Sequence, residues 1–120
     1  MKKRILVAED NEDNRRILRD LLASGGFDMI EAQDGEQAIA AAEASQPDLI
    51  LMDIQLPIVD GYEATRRIKS KPTLKAIPII MVTSYALSGD EAKARQAGCD
   101  DYAAKPFSPR QLLAKIRRHI

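Results

Sequence analysis

The chain has 120 residues, 45% of them apolar and 30% charged, with 18 Lys+Arg set against 18 Asp+Glu. That balance fits one globular domain with its own core and excludes a disordered chain, and zero net charge offers no electrostatic pull toward nucleic acid or an anionic membrane. One Cys excludes an internal disulfide framework or a cysteine-only zinc site, and no apolar run approaches the roughly 18 residues of a membrane span.

Short apolar runs alternate with helical patterns along the chain. Ile5 to Ala8 predicts a first strand. Asn11 caps the helix that follows, Ile17, Leu18, Leu21 and Leu22 form its apolar stripe, and Gly25-Gly26 stops it. Phe27 to Glu31 predicts a second, more mixed strand, and Asp34 with Gln37 opens a second helix with a capping-box spacing. Leu49 to Met52 is a third strand, and Asp60 with Glu63 opens the third helix. Ile79 to Val82 is a fourth strand, followed by a helix capped by Ser88 with Glu91 and ended by Gly98. Asp101 to Ala104 is a fifth strand, and Ser108-Pro109 starts a last helix whose stripe is Leu112, Leu113 and Ile116.

Five strands alternating with five helices predict a (βα)5 α/β unit with a parallel sheet covered on both faces. The first, third and fourth runs are continuously apolar and belong inside the sheet. The second and fifth are mixed and belong at its edges, giving the flavodoxin-like order 2-1-3-4-5. The expectation is a single cytoplasmic domain spanning 1–120, with no output domain, no signal peptide and no membrane insertion.

In an open α/β sheet, ligands bind beyond the carboxyl ends of the strands. Those ends carry Glu9 and Asp10 after the first strand, Asp53 after the third, Thr83-Ser84 after the fourth and Lys105-Pro106 after the fifth. Taken singly, each has an ordinary explanation as a cap, a turn residue or a solvated charge. Their convergence on one rim favours a site. Crowded carboxylates raise one another's pKa, and a hard divalent cation relieves the repulsion. Mg²⁺ suits one or two carboxylates together with waters and phosphate oxygens. A carboxylate beside it can attack phosphorus to give an aspartyl phosphate, with Lys105 and Thr83 neutralising the equatorial oxygens.

The strings ILVAEDNEDN (5–14), LILMDIQLPIVDG (49–61), IIMVTS (79–84) and GCDDYAAKPF (98–107) resemble the receiver domain of bacterial two-component response regulators, and MDIQLP (52–57), SGDE (88–91) and GCDDY (98–102) further resemble its single-domain DivK-like members. The resemblance implies that Asp53 is the phosphoacceptor, Asp10 a direct metal ligand, Glu9 an acidic neighbour acting through a metal-bound water, and Gln55 a donor of its backbone carbonyl. Glu9 stands where the family more often has Asp. Thr83 and Lys105 match the residues that contact the phosphoryl oxygens, Lys105-Pro106 matches a cis peptide, and Tyr102 matches the switch aromatic. The implied protein is a stand-alone switch rather than an enzyme. It takes a phosphoryl group from a histidine kinase or phosphotransferase and signals to a downstream protein through its fourth helix, fifth strand and fifth helix. The implied state is a monomer, with dimerisation on phosphorylation left open.

Other readings fit less well. A fragment of a larger regulator or hybrid kinase would carry the same motifs. A haloacid-dehalogenase-like phosphatase places its nucleophile in D-x-D-x-T after the first strand and carries a cap insertion, whereas this chain has D-I-Q after the third strand and no insertion. A flavodoxin-like cofactor binder needs a phosphate-cradling first loop, and A-E-D-N-E-D is acidic. Cys99 reads as a packing residue, and Arg117-Arg118-His119 as a solvated helix end complementing the macrodipole. Tyr85 and Leu87 flank the fourth helix as either packing or partner-facing residues.

Overall fold

The computed structural model describes residues 2–83, 90–105 and 107–120. Five strands, β1 (Arg4–Ala8), β2 (Asp28–Ala32), β3 (Leu49–Asp53), β4 (Ile79–Thr83) and β5 (Asp101–Ala104), alternate with α1 (Glu12–Ser24), α2 (Gly35–Ser45), α3 (Gly61–Lys69), α4 (Asp90–Ala97) and α5 (Pro109–His119). All four strand pairings are parallel and the order is β2-β1-β3-β4-β5, as the apolar runs predict. β2, β3 and β4 each reach one residue past the predicted run, to Ala32, Asp53 and Thr83, because the ladder continues under those side chains.

Alternation along the strands divides the core in two. Leu6, Ala8, Ile50, Met52, Ile79 and Met81 pack against α2, α3 and α4. Ile5, Val7, Leu49, Leu51, Ile80 and Val82 pack against Leu18, Leu21 and Leu22 of α1 and Leu112 and Ile116 of α5.

Four of the five predicted caps fall among the described residues, and all four form. Asn11, Asp34, Asp60 and Ser108 each accept a hydrogen bond from the backbone N–H three residues on, which satisfies a donor the helix itself cannot. Among the described residues, the reciprocal half of the capping box does not form at Asp34 or Asp60. Gln37 accepts instead from the Gln33 N–H at 2.9 Å, and Glu63 turns to Arg66 and Arg67. Gly26 (φ 84°) and Gly98 (φ 107°) adopt the left-handed conformation where α1 and α4 end. Ser88 lies outside the described residues, as do Ser84, Tyr85, Leu87 and Pro106.

Two expectations are corrected. Ile17 is not in the α1 stripe and is 58% exposed. Arg15 takes the inward position one turn before Leu18, buried to 5% exposure, with its guanidinium on Glu12, on Glu31 at 3.2 Å and on the Glu9 carbonyl at 2.8 Å. His119 is not a solvated end. Its Nε2 lies 3.0 Å from Oδ2 of the buried Asp101, whose Oδ1 also accepts from Lys115 at 3.3 Å. Cys99 is a free, buried packing residue, as expected.

The segment between β3 and α3 is what shapes the rim. It folds back so closely that a Cβ on Gly61 would lie 2.1 Å from the Asp53 carbonyl oxygen. The Gly61 N–H donates to the Ile54 carbonyl at 2.8 Å, and the exposed Ile58 turns the chain at φ 70°. Only glycine fits where the loop rejoins the end of β3.

Candidate functional site

The site grows out of the strand alternation. Glu9, Asp53 and Lys105 stand two residues beyond Val7, Leu51 and Ala103, which all belong to the core layer under α1 and α5. Period-two alternation therefore carries the two carboxylates and the ammonium out of the same face of three strands. Glu9 and Asp53 are buried at 2% and 8% exposure, whereas Asp10 is exposed.

The Lys105 ammonium lies 3.4 Å from both Glu9 oxygens and 3.5 Å from Asp53 Oδ2. Asp53 Oδ1 accepts from the Gln55 backbone N–H at 3.2 Å. Glu9 Oε1 accepts from the Asn14 side-chain amide at 2.6 Å. A narrow recess lined by Val7, Leu18, Leu51 and Val82 lies beneath Glu9, Asp53 and Lys105 and gives the charges an apolar floor.

Burial, with the hydrogen bond to Glu9 and its negative charge, pushes the Asp53 carboxyl up from 3.8 to about 7, against the pull of Lys105. Glu9 moves the other way. Burial raises its pKa, but hydrogen bonds from Asp53 and Asn14 and the Lys105 charge outweigh that and hold it below the usual carboxylate range. Crowded acids thus split in pKa, with one ionised and its partner near neutrality.

Glu9, Asp10 and Asp53 each offer a carboxylate oxygen within 4.8 Å of the others. Ligands about 2.1 Å from an octahedral Mg²⁺ stand roughly 3 to 4 Å apart, so a small contraction or one bridging water makes the three groups fit. The donor chemistry fits as well, being all oxygen and anionic.

Thr83 and Tyr102 sit elsewhere in the alternation. Thr83 continues the line of Met81, on the face of α2, α3 and α4, and is 1% exposed. It stands one residue beyond Val82, the register partner of Asp53, and its carbonyl accepts from the Lys105 N–H at 2.6 Å. Tyr102 pairs in register with Met81 and packs half-buried against the same core layer. The two share a face behind the acidic cleft, while Asp53, Glu9 and Lys105 share the other. The structure thus brings Glu9, Asp10, Asp53 and Lys105 together, with Gln55 bonded to Asp53 through its backbone N–H.

Sequence reasoning missed Asn14 and Arg15. The available signal was their place in the first turn of a helix that starts directly after Glu9-Asp10, since helical side chains lean back toward the N-terminus.

Comparison with known proteins places the sequence and the fold. The family description "Response regulator receiver domain" matches residues 5–117. The chain is 42% identical over 120 residues to the polar-differentiation response regulator DivK of Brucella anthropi, covering 100% of this chain and 98% of the relative, and the DivK of Brucella ovis matches equally. Among solved structures, the receiver domain of sensor histidine kinase PA1611 from Pseudomonas aeruginosa superposes with TM-score 0.92 at 41% identity, covering 98% of this chain and 97% of that one. That structure has a magnesium ion coordinated in its active-site cleft. The chemotaxis protein CheY4 of Vibrio cholerae superposes with TM-score 0.93 at 25% identity, over 100% of both chains.

Proposed function

Because this chain belongs to the response regulator receiver family, we propose that it is a stand-alone phosphorylation switch of a two-component phosphorelay, with Asp53 as phosphoacceptor. The observation that carries the reading is the Asp53 carboxylate at the end of β3, buried, 3.5 Å from the Lys105 ammonium and grouped within 4.8 Å of carboxylate oxygens of Glu9 and Asp10.

An Asp53 oxygen attacks the phosphorus of a phosphohistidine on a histidine kinase or phosphotransferase. The new O–P bond forms as the P–N bond breaks, and the imidazole nitrogen leaves with the electron pair. Glu9, Asp10, Asp53 and the Gln55 backbone carbonyl would hold Mg²⁺, which would favour the ionised nucleophile and neutralise charge on the transferred group. Lys105 supplies a second positive charge beside the acceptor, and the Thr83 hydroxyl turns toward a phosphoryl oxygen once the group is in place. Charge on Asp53 then biases two packings of the face that Thr83 and Tyr102 share. That change passes along α4, β5 and α5 to a downstream protein partner.

We read the protein as a cytoplasmic, single-domain monomer that acts through proteins, without direct nucleic-acid contact and with no enzymatic role beyond assisting its own phosphorylation and dephosphorylation. Among the described residues no helix is long and apolar enough to cross a membrane. A second reading, a receiver within a larger regulator or hybrid kinase, draws on the 41% identity to a sensor-kinase receiver. The size of the native protein on an immunoblot separates the two.

The test is transfer from a phosphohistidine protein carrying labelled phosphate. Label should move to the wild type and not to Asp53→Asn. Tyr102→Ala should accept label normally yet lose the phosphorylation-dependent gain in partner affinity. Label retained by Asp53→Asn overturns the acceptor assignment, and partner affinity unchanged in Tyr102→Ala overturns the switch.

A further inference from the structure

The first turn of α1 grips Glu9 from two sides. Arg15 donates to the Glu9 backbone carbonyl at 2.8 Å, and Asn14 donates its side-chain amide to Oε1 at 2.6 Å. The two contacts differ in kind from the Lys105 contact. The ammonium stands 3.4 Å from Oε1 and 3.4 Å from Oε2, so it neutralises the carboxylate without choosing between its oxygens. The Asn14 amide is bonded to Oε1. A glutamate has one more rotatable bond than an aspartate, so a Glu beside a metal cleft needs such a choice to be made for it.

Asn14 is itself well anchored. Its backbone N–H is held by the Asn11 side chain at 2.9 Å. The neighbouring Arg15 is buried and fixed by Glu12 and by Glu31 at 3.2 Å. The amide orientation follows from chemistry, because an ionised carboxylate only accepts and Nδ2 must be the atom facing it.

We infer that Asn14 is a positioning residue for the metal cleft: by committing one oxygen of Glu9, it presents the other to the cation and favours Mg²⁺ over larger divalent ions. This rests on the Mg²⁺ reading proposed above. Mg²⁺ demands near-ideal octahedral geometry, whereas Ca²⁺ tolerates irregular shells, so a Glu9 carboxylate released to swing penalises Mg²⁺ more. A merely structural Asn14 predicts something different. The Asn11 cap uses the Asn14 backbone and survives truncation of the side chain, and Ala is the better helix former.

The experiment is calorimetric titration of Mg²⁺ and of Ca²⁺ into the full chain as wild type, Asn14→Ala, Glu9→Ala and the double variant, with a metal-free thermal melt of each. Asn14→Ala should melt no lower than wild type, bind Mg²⁺ about tenfold more weakly and lose clearly less for Ca²⁺. In the Glu9→Ala background the same change should have no effect on Mg²⁺. Wild-type Mg²⁺ affinity in Asn14→Ala, or an equal loss with and without Glu9, overturns the inference and leaves the metal site standing. A wild type that binds no Mg²⁺ overturns the metal reading and the inference together.

Discussion

Replacing Asp53 by Asn removes a buried charge and should stabilise the fold at neutral and alkaline pH. Burial and Glu9 raise the folded carboxyl from 3.8 to about 7, a difference worth about 4 kcal/mol at most. The sign follows from linkage. Between these two values the folded chain holds a proton that the unfolded chain releases, so wild-type stability falls as pH rises through the window and levels off above it. Asn carries no such dependence. The difference between Asp53→Asn and wild type should therefore be small near pH 4, grow toward pH 7 and flatten beyond. Glu9 does not blur the window, because its lowered value makes its own contribution fade only as pH falls below the usual carboxylate range of 4.5. Denaturant unfolding at pH 4.5, 6 and 8 with chelator present measures it. Saturating Mg²⁺ should then narrow the gap by stabilising the wild type by about 2.7 kcal/mol at a hundred times its Kd, while leaving the variant nearly unmoved. Equal stability of the two proteins at pH 8 in chelator would refute the claim that crowded carboxylates strain this site.

Three further outcomes follow from the packing. Gly61→Ala places a Cβ 2.1 Å from the Asp53 carbonyl; it should lose about 3 kcal/mol or more of unfolding free energy and shift the Asp53 amide resonance, since the loop must move. Leu22→Ala, at a fully buried position, should cost about 3 kcal/mol. Ile17→Ser, on the exposed side of the same helix, should change stability by less than about 0.5 kcal/mol. A fourth concerns Asp101, whose burial would raise its pKa but whose hydrogen bonds from His119, the Tyr102 N–H and Lys115 lower it instead. That stabilisation is present above the ordinary value of 3.8 and is lost as pH falls through the lower folded value, so Asp101→Asn should be less stable at pH 7 by about 1 to 3 kcal/mol and approach wild type in strong acid.

Most of this arrangement was legible because it depends on local pattern. Apolar runs such as Leu49 to Met52 mark central strands, and Asn11, Asp34, Asp60 and Ser108 announce helix starts through the orphan N–H groups they satisfy. The convergence of Glu9, Asp10, Asp53 and Lys105 follows from strand ends meeting at one edge of a parallel sheet. What escaped depends on partners distant in sequence. Periodicity assigns Ile17 to the core because it is apolar, yet Arg15 faces inward because Glu31 on β2 and the Glu9 carbonyl supply its partners. His119 reads as a free helix end until β5 brings Asp101 beside it. The reciprocal capping contact of Glu63 fails for a local reason, since Glu63 finds two arginines three and four residues on along its own helix.

The central claim is that Asp53 is a Mg²⁺-dependent phosphoacceptor. Intact-mass measurement after incubation with a small acyl phosphate, with and without Mg²⁺, tests it most directly when wild type and Asp53→Asn are run side by side. The account predicts a single phosphoryl adduct on the wild type that requires Mg²⁺ and is absent from the variant. An adduct of equal yield on Asp53→Asn, or one indifferent to Mg²⁺, would contradict it.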